Sequence, residues 1–188
     1  MITEEIFDSI LKTTKPINET LLPDQQGIYA FMLNEAGDLG IFGSSGQIIY
    51  VGLSEKSLNS RDSKTHNMSG QTGWSSLRRS LGAILKTQLN LTAIKRDKNP
   101  TKIRPDKYKF DEEGEQRLTQ WMAENLKLGY WTIETPLALK VLRKEEELVI
   151  LKTKPTLDLD SRTKKFNVLS VKLDNLRKIC REEVKNNS

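Results

Sequence analysis

Two stretches decide the reading of this 188-residue chain: Gly27-Ile28-Tyr29-Ala30-Phe31-Met32-Leu33 and Gln47-Ile48-Ile49-Tyr50-Val51-Gly52-Leu53. Both are short and rich in Ile, Tyr, Phe and Val, the composition of buried strands. Asn34 to Gly46 between them holds Gly37, Gly40, Gly43 and Gly46, so the two strands are joined by a long loop. Each carries a tyrosine beside a glycine, and pairing them would bring the hydroxyls of Tyr29 and Tyr50 together. Strand tyrosines ordinarily serve packing, because the ring fits the pleated surface, so neither marks a site by itself.

Working outward, Ile6, Phe7, Ile10 and Leu11 recur at helical spacing and predict an amphipathic helix over 4–11. From Gly73 to Lys86, residues Trp74, Leu77, Leu81, Ile84 and Leu85 share one helical face, with Thr72 or Ser75 as the cap. Residues 95–109 carry seven cations broken by Pro100 and Pro105, which predicts an exposed basic loop whose Tyr108 and neighbouring Phe110 suit contact with a nucleic-acid backbone. A helix over Glu115 to Leu128 is closed by Gly129, a third strand spans Tyr130 to Thr135, and Pro136 stops it. Helices over Leu137 to Leu151 and Val171 to Val184 complete the chain. This order predicts an α/β (α+β) fold with a small sheet covered by helices.

Composition narrows the class. With 36% hydrophobic and 29% charged residues the chain is too apolar for disorder and too polar for a membrane protein. No apolar run nears the roughly 18 residues of a membrane span, and Glu4, Glu5 and Asp8 stand where an export leader would be positive. Cys180, the single cysteine, has no partner for an intramolecular disulfide, so a reducing, cytoplasmic setting is expected. The net charge of +5 is unevenly spread: residues 1–60 hold 3 basic and 8 acidic side chains, residues 61–109 hold 12 and 3, residues 110–139 hold 2 and 6, and residues 140–188 hold 13 and 8. Two cationic segments point to a polyanion partner, since Lys and Arg near phosphates release counterions whatever the base sequence. Gly70-Gln71-Thr72-Gly73 lacks a following Gly-Lys-Ser/Thr, so it gives no nucleotide-binding loop.

The second strand leads into Leu58-Asn59-Ser60-Arg61 and then His66, the chain's one histidine. Farther on, Glu146 precedes Pro155 by nine positions and Asp158 by twelve. Gly27-Ile28-Tyr29, Tyr50-Val51-Gly52, Leu58-x-x-Arg61 with a following histidine, and this glutamate–proline pair in order resemble the GIY-YIG nucleases, with Asp158 where that family usually has an asparagine. The resemblance covers residues 25–160, leaving 1–24 and 161–188 as helical extensions. It implies a three-stranded antiparallel sheet flanked by helices. Helix geometry sets Glu147 with Lys140, Arg143 and Lys144 on a charged face and turns both Glu145 and Glu146 inward, so the spacing to Pro155 is what favours Glu146.

What the resemblance implies is a metal-dependent endonuclease. Glu146 would hold one divalent cation, Mg²⁺ or Mn²⁺, a hard ion suited to a carboxylate, waters and phosphate oxygens. Tyr29 would be the general base and Arg61 the phosphate clamp, while Tyr50 and His66 would position the water. Gly27, Gly52 and Asp158 would be structural supports. Arg78, bordering the apolar stripe, and Arg79, directed outward, would contact phosphates together with Lys98, Lys102 and Arg104. The partner expected is DNA, with RNA left open. A non-catalytic nucleic-acid-binding module of the same fold and a protein-interaction role resting on the acidic N-terminal block are the competing readings.

Overall fold

Helix α1 (Ile2–Thr13) buries Ile6 and Ile10, about one turn apart, and ends where the Thr13 and Thr14 hydroxyls donate to the carbonyls of Ser9 and Ile10. The computed structural model describes residues 2–61, 68–97 and 104–187, without the side chains of Ser60 and Arg61. After α1 come β1 (Lys15–Pro16), β2 (Gly27–Leu33), β3 (Ile48–Ser54), α2 (Leu58–Arg61), α3 (Ser76–Ile84), β4 (Ala93–Ile94), β5 (Lys109–Phe110), α4 (Glu112–Asn125), β6 (Leu126–Thr132), α5 (Leu139–Thr153) and α6 (Ser170–Asn186).

The main sheet is antiparallel with the order β1-β6-β2-β3, so it has four strands where three were expected. The additional strand is Lys15–Pro16, which pairs with Leu128 and Lys127 of β6. Two residues cannot express a period of two, and a proline is tolerated there because the strand lies at the sheet edge. A second pair, β4 with β5, sets Ala93 opposite Phe110. Tyr108 and Phe110 therefore enter the core, fully buried with ring centroids 5.7 Å apart, and do not line a nucleic-acid path as expected.

The register of β2 and β3 shifts between Phe31, opposite Tyr50, and Met32, opposite Ile48. The extra residue, Ile49, turns with Tyr50 toward one face while Ile48 and Val51 turn toward the other. Tyr29, Phe31, Leu33, Leu126 and Leu128 thus pack under α3, α4 and α6 through Leu77, Leu81, Leu118 and Leu173. On the opposite face Ile28, Ala30, Val51 and Trp131 meet Ile6 and Ile10 of α1 and Leu142, Val149 and Ile150 of α5.

Two boundaries differ from expectation for local reasons. Asp111 caps α4 by accepting the Gly114 N–H at 2.8 Å, and Glu112, Glu113 and Glu115 complement the helix dipole. The helix ends at Asn125, so Gly129 does not close it but sits inside β6, where a Cβ would lie 2.2 Å from the Ile10 carbonyl oxygen. Glycine lets α1 cross that strand closely. Likewise Ser75 caps α3 by accepting the Arg78 N–H at 3.1 Å, which leaves Trp74 ahead of the helix, in a 3₁₀ turn and exposed, not on the buried stripe.

Candidate active site

Tyr29 on β2 lies directly across from Gly52 on β3, and its ring lies over that glycine. A Cβ at Gly52 would come within 2.6 Å of the Tyr29 hydroxyl oxygen, and one at Gly27 within 2.1 Å of the Trp131 carbonyl oxygen. Both glycines are thus required by close approach. The Tyr29 and Tyr50 rings stand 6.4 Å apart between centroids, with Tyr29 at 1% exposure and Tyr50 at 8%. Gly52→Ala is expected to push the Tyr29 ring aside and to destabilise the fold by about 1–3 kcal/mol, because a Cβ 2.6 Å from that hydroxyl overpacks the site. Thermal melting of the variant checks this, and a wild-type Tm would remove the argument.

β3 is an edge strand, and its outer side is covered by the chain after α5. Lys154 ends that helix in the left-handed conformation at φ 48°, and Pro155 follows. The Leu157 N–H then donates to the Ile49 carbonyl at 2.9 Å, and the Val51 N–H donates to Oδ2 of Asp158 at 3.3 Å. Asn167 braces the segment, its side-chain amide donating to the carbonyls of Thr156 (2.7 Å) and Asp158 (3.0 Å). Asp158 is buried, and burial pushes its pKa well above the ordinary aspartate value, against the Val51 hydrogen bond and aided by the Glu146 charge.

Glu146 of α5 points inward, as helix geometry required. Burial raises its pKa, while Arg162 opposes that rise, donating from Nη2 to Oε2 at 2.8 Å. Arg162 also donates from Nε to Asp160 at 2.8 Å, so one guanidinium bridges two carboxylates. The two inward glutamates have different partners: Glu145 accepts a hydrogen bond from the Thr3 hydroxyl of α1 at 2.8 Å, whereas Glu146 meets Arg162. Glu147 lies 4.0 Å from Lys144 on the outer face. Arg162 and Asp160 went unnoticed in the sequence, although the run Asp158-Leu159-Asp160-Ser161-Arg162 just past Pro155 was a usable signal.

The other expected site residues are distributed differently. Arg61 ends α2, but its side chain and all of His66, Lys98 and Lys102 lie outside the described residues. Arg104 is exposed. Arg78 is wholly buried: Nη2 donates to Glu115 Oε2 at 2.9 Å and to the Thr119 hydroxyl at 2.8 Å, and Nε donates to the Thr72 hydroxyl at 3.1 Å. It braces α3 against α4 and does not reach the surface as a phosphate contact would. Arg79, expected to point outward, is buried too, with Nη1 on the carbonyls of Thr72 and Gly73.

Asp158 therefore lies against the middle of the edge strand that carries Tyr50, Val51 and Gly52, with Glu146 within electrostatic reach of it, while the tyrosine rings pack toward α3, α4 and α6 and α5 lies on the opposite face of the sheet. Comparison with curated proteins and with solved structures gives no match. The GIY-YIG catalytic domain matches residues 24–179. That span begins just before Gly27 and runs into α6, taking in both tyrosine strands, α5 and the segment on the β3 edge, and the chain belongs to the GIY-YIG nuclease family.

Proposed function

We propose that this protein is an endonuclease that hydrolyses DNA phosphodiester bonds, with residues 25–160 as its nuclease domain, Arg162 added from the C-terminal extension, and the flanking helical segments supporting them. The observation that carries the reading is the hydrogen bond from Val51 N–H to Asp158, which ties the Glu146 neighbourhood to the strand bearing Tyr50 and Gly52. The donor chemistry suits a hard divalent cation: a desolvated glutamate with carboxylate neighbours and an arginine to neutralise it when no metal is held. Glu146 would hold Mg²⁺ or Mn²⁺, which when bound would stabilise the departing 3′-oxygen. The protein's own groups do the rest. The tyrosine pair accepts the proton of the attacking water, Tyr50 being the outer member and lying within electrostatic reach of Arg79, and Tyr29 the inner one. Arg61 and Arg162 bear on the phosphate charge, His66 assists the water, and Asp158 holds the β3 edge in place of the family's asparagine.

Tyr29→Phe and Tyr50→Phe each keep the ring and delete the hydroxyl, so turnover should fall by about 10²-fold in at least one of them with little loss of stability. Full activity in both between pH 6 and 9 would leave the proton-transfer role without support. The Arg162–Glu146 ion pair favours one competing reading, a nucleic-acid-binding module in which Glu146 only pairs internally. Incubation with supercoiled plasmid and branched duplexes in Mg²⁺, Mn²⁺ or chelator separates the two: cation-dependent nicking supports the nuclease, and binding without nicking supports the module.

A further inference from the structure

Beside the tyrosine pair, the 3₁₀ turns Thr72–Trp74 and Pro105–Lys107 meet the start of α3 and the middle of α6. They bring Arg79, Lys107 and Arg177 within reach of one another's charge, with Arg96 close to Lys107. Two carboxylates belong to this group: Asp106, 3.9 Å from Lys107, and Asp97, 2.7 Å from Arg96. Among the described residues four cations thus face two anions in a partly buried setting, which favours a further anion.

The arginines point the same way. Burial, and next the Arg177 charge, lower the Arg79 pKa to about 10, which leaves it protonated at neutral pH. Arg79 is 5% exposed, and its Nε, like that of Arg177, is buried with no hydrogen-bond partner among the described residues. A buried guanidinium N–H left without an acceptor is unfavourable, so the nest carries positive charge its neighbours do not balance, and the half-buried Lys107 and Arg177 are where a phosphate can meet it. Tyr50 is within electrostatic reach of Arg79, which puts the nest on the Tyr50 face of the sheet.

Trp74 stands on the same turn at 61% exposure, with the Arg96 guanidinium 4.0 Å from its ring centroid. Gly73 permits that approach, since a Cβ there would lie 2.5 Å from Arg96 Cγ and Cδ. With one face under the guanidinium, the exposed area belongs to the other face and the edges. An indole backed by a cation and open in front stacks a nucleic-acid base, and a base already stacked inside a duplex cannot reach it.

We propose that Lys107 and Arg177, backed by the buried charge of Arg79, hold a phosphate of the bound strand on the Tyr50 side while Trp74, backed by Arg96, stacks an unpaired base of that strand, so that the substrate has single-stranded character beside the cleavage site. The proposal rests on the nuclease reading. Its test is binding of a labelled short single strand and of the matching duplex to the full chain in chelator, measured by anisotropy over a range of salt. Trp74→Leu should weaken single-strand binding between about fivefold and a hundredfold while leaving duplex binding nearly unchanged. Lys107→Gln and Arg177→Gln, both at half-buried positions, should each shrink the slope of log K against log salt by about 0.7 on the single strand. Equal loss on duplex and single strand in Trp74→Leu, or unchanged salt slopes in both cation variants, overturns the proposal and leaves the nuclease reading standing. Wild-type protein that neither binds nor cuts nucleic acid overturns the nuclease reading and the proposal with it.

Discussion

Glu146→Ala is expected to abolish cation-dependent cleavage, a loss of about 10³-fold or more, while nucleic-acid binding and the fold stay nearly intact. The side chain is buried, yet what it meets is Arg162 and not apolar packing, and in its absence Arg162 keeps its hydrogen bonds to Asp160. Removing it takes away the proposed metal ligand and one partner of a shared guanidinium. Glu147→Ala should do little, because that carboxylate faces outward at 4.0 Å from Lys144. Plasmid nicking gives the activity, and Mn²⁺ titration by calorimetry gives the metal. Wild-type metal binding in Glu146→Ala, or an inactive Glu147→Ala, would show that the wrong carboxylate has been chosen.

Glu115→Leu is expected to be the most destabilising single replacement considered for this chain, costing about 3–5 kcal/mol and lowering Tm by roughly 10 °C. Its Oε2 accepts from Arg78 Nη2 (2.9 Å), the Thr72 hydroxyl (2.8 Å) and the Gly70 N–H (3.0 Å), and its Oε1 accepts from the Phe110 N–H (3.0 Å). The Arg78 and Glu115 side chains are 0% and 3% exposed. Loss of the carboxylate would leave a buried guanidinium charge and two backbone N–H groups without this acceptor. Arg78→Met removes the charge itself and leaves Glu115 its other three donors, so it should cost less. Urea denaturation of the two variants measures the order, and an Arg78→Met variant less stable than Glu115→Leu would contradict it. Because Glu115 also anchors Gly70 and Thr72, Glu115→Leu should loosen the turn that carries Trp74.

How much of this was legible follows from the range of each interaction. The strands at Gly27–Leu33 and Ile48–Ser54 could be read because β-branched and aromatic residues bounded by glycines are a local signal. The inward turn of Glu146 could be read because a helix repeats every 3.6 residues, so position alone assigns a face. Face alone could not separate Glu145 from Glu146, because Thr3, which accounts for Glu145, lies 142 positions away.

Periodicity also misjudged the cations near residue 78. Arginine defaults to the surface, yet Arg78 is buried because Glu115, 37 positions on, supplies an opposite charge in the same space. Arg79 is buried with its Nη1 on the backbone carbonyls of Thr72 and Gly73, and no run of neighbours forecasts that. Trp74 fell off its predicted stripe when Ser75 started the helix one residue after it, and Gly129 became a strand residue because α1 crosses there. The order of helices and strands, the paired tyrosine–glycine motifs and the inward glutamate thus belong to the chain's local pattern, since backbone preference and side-chain period act over a few residues. The fourth strand, the Arg78–Glu115 brace, the Arg162 bridge between Glu146 and Asp160, and the cations around Arg79 exist only in the folded protein, because each needs groups that chain closure brings together from distant positions, and the energy of a buried charge depends on that neighbourhood and not on its place in the sequence.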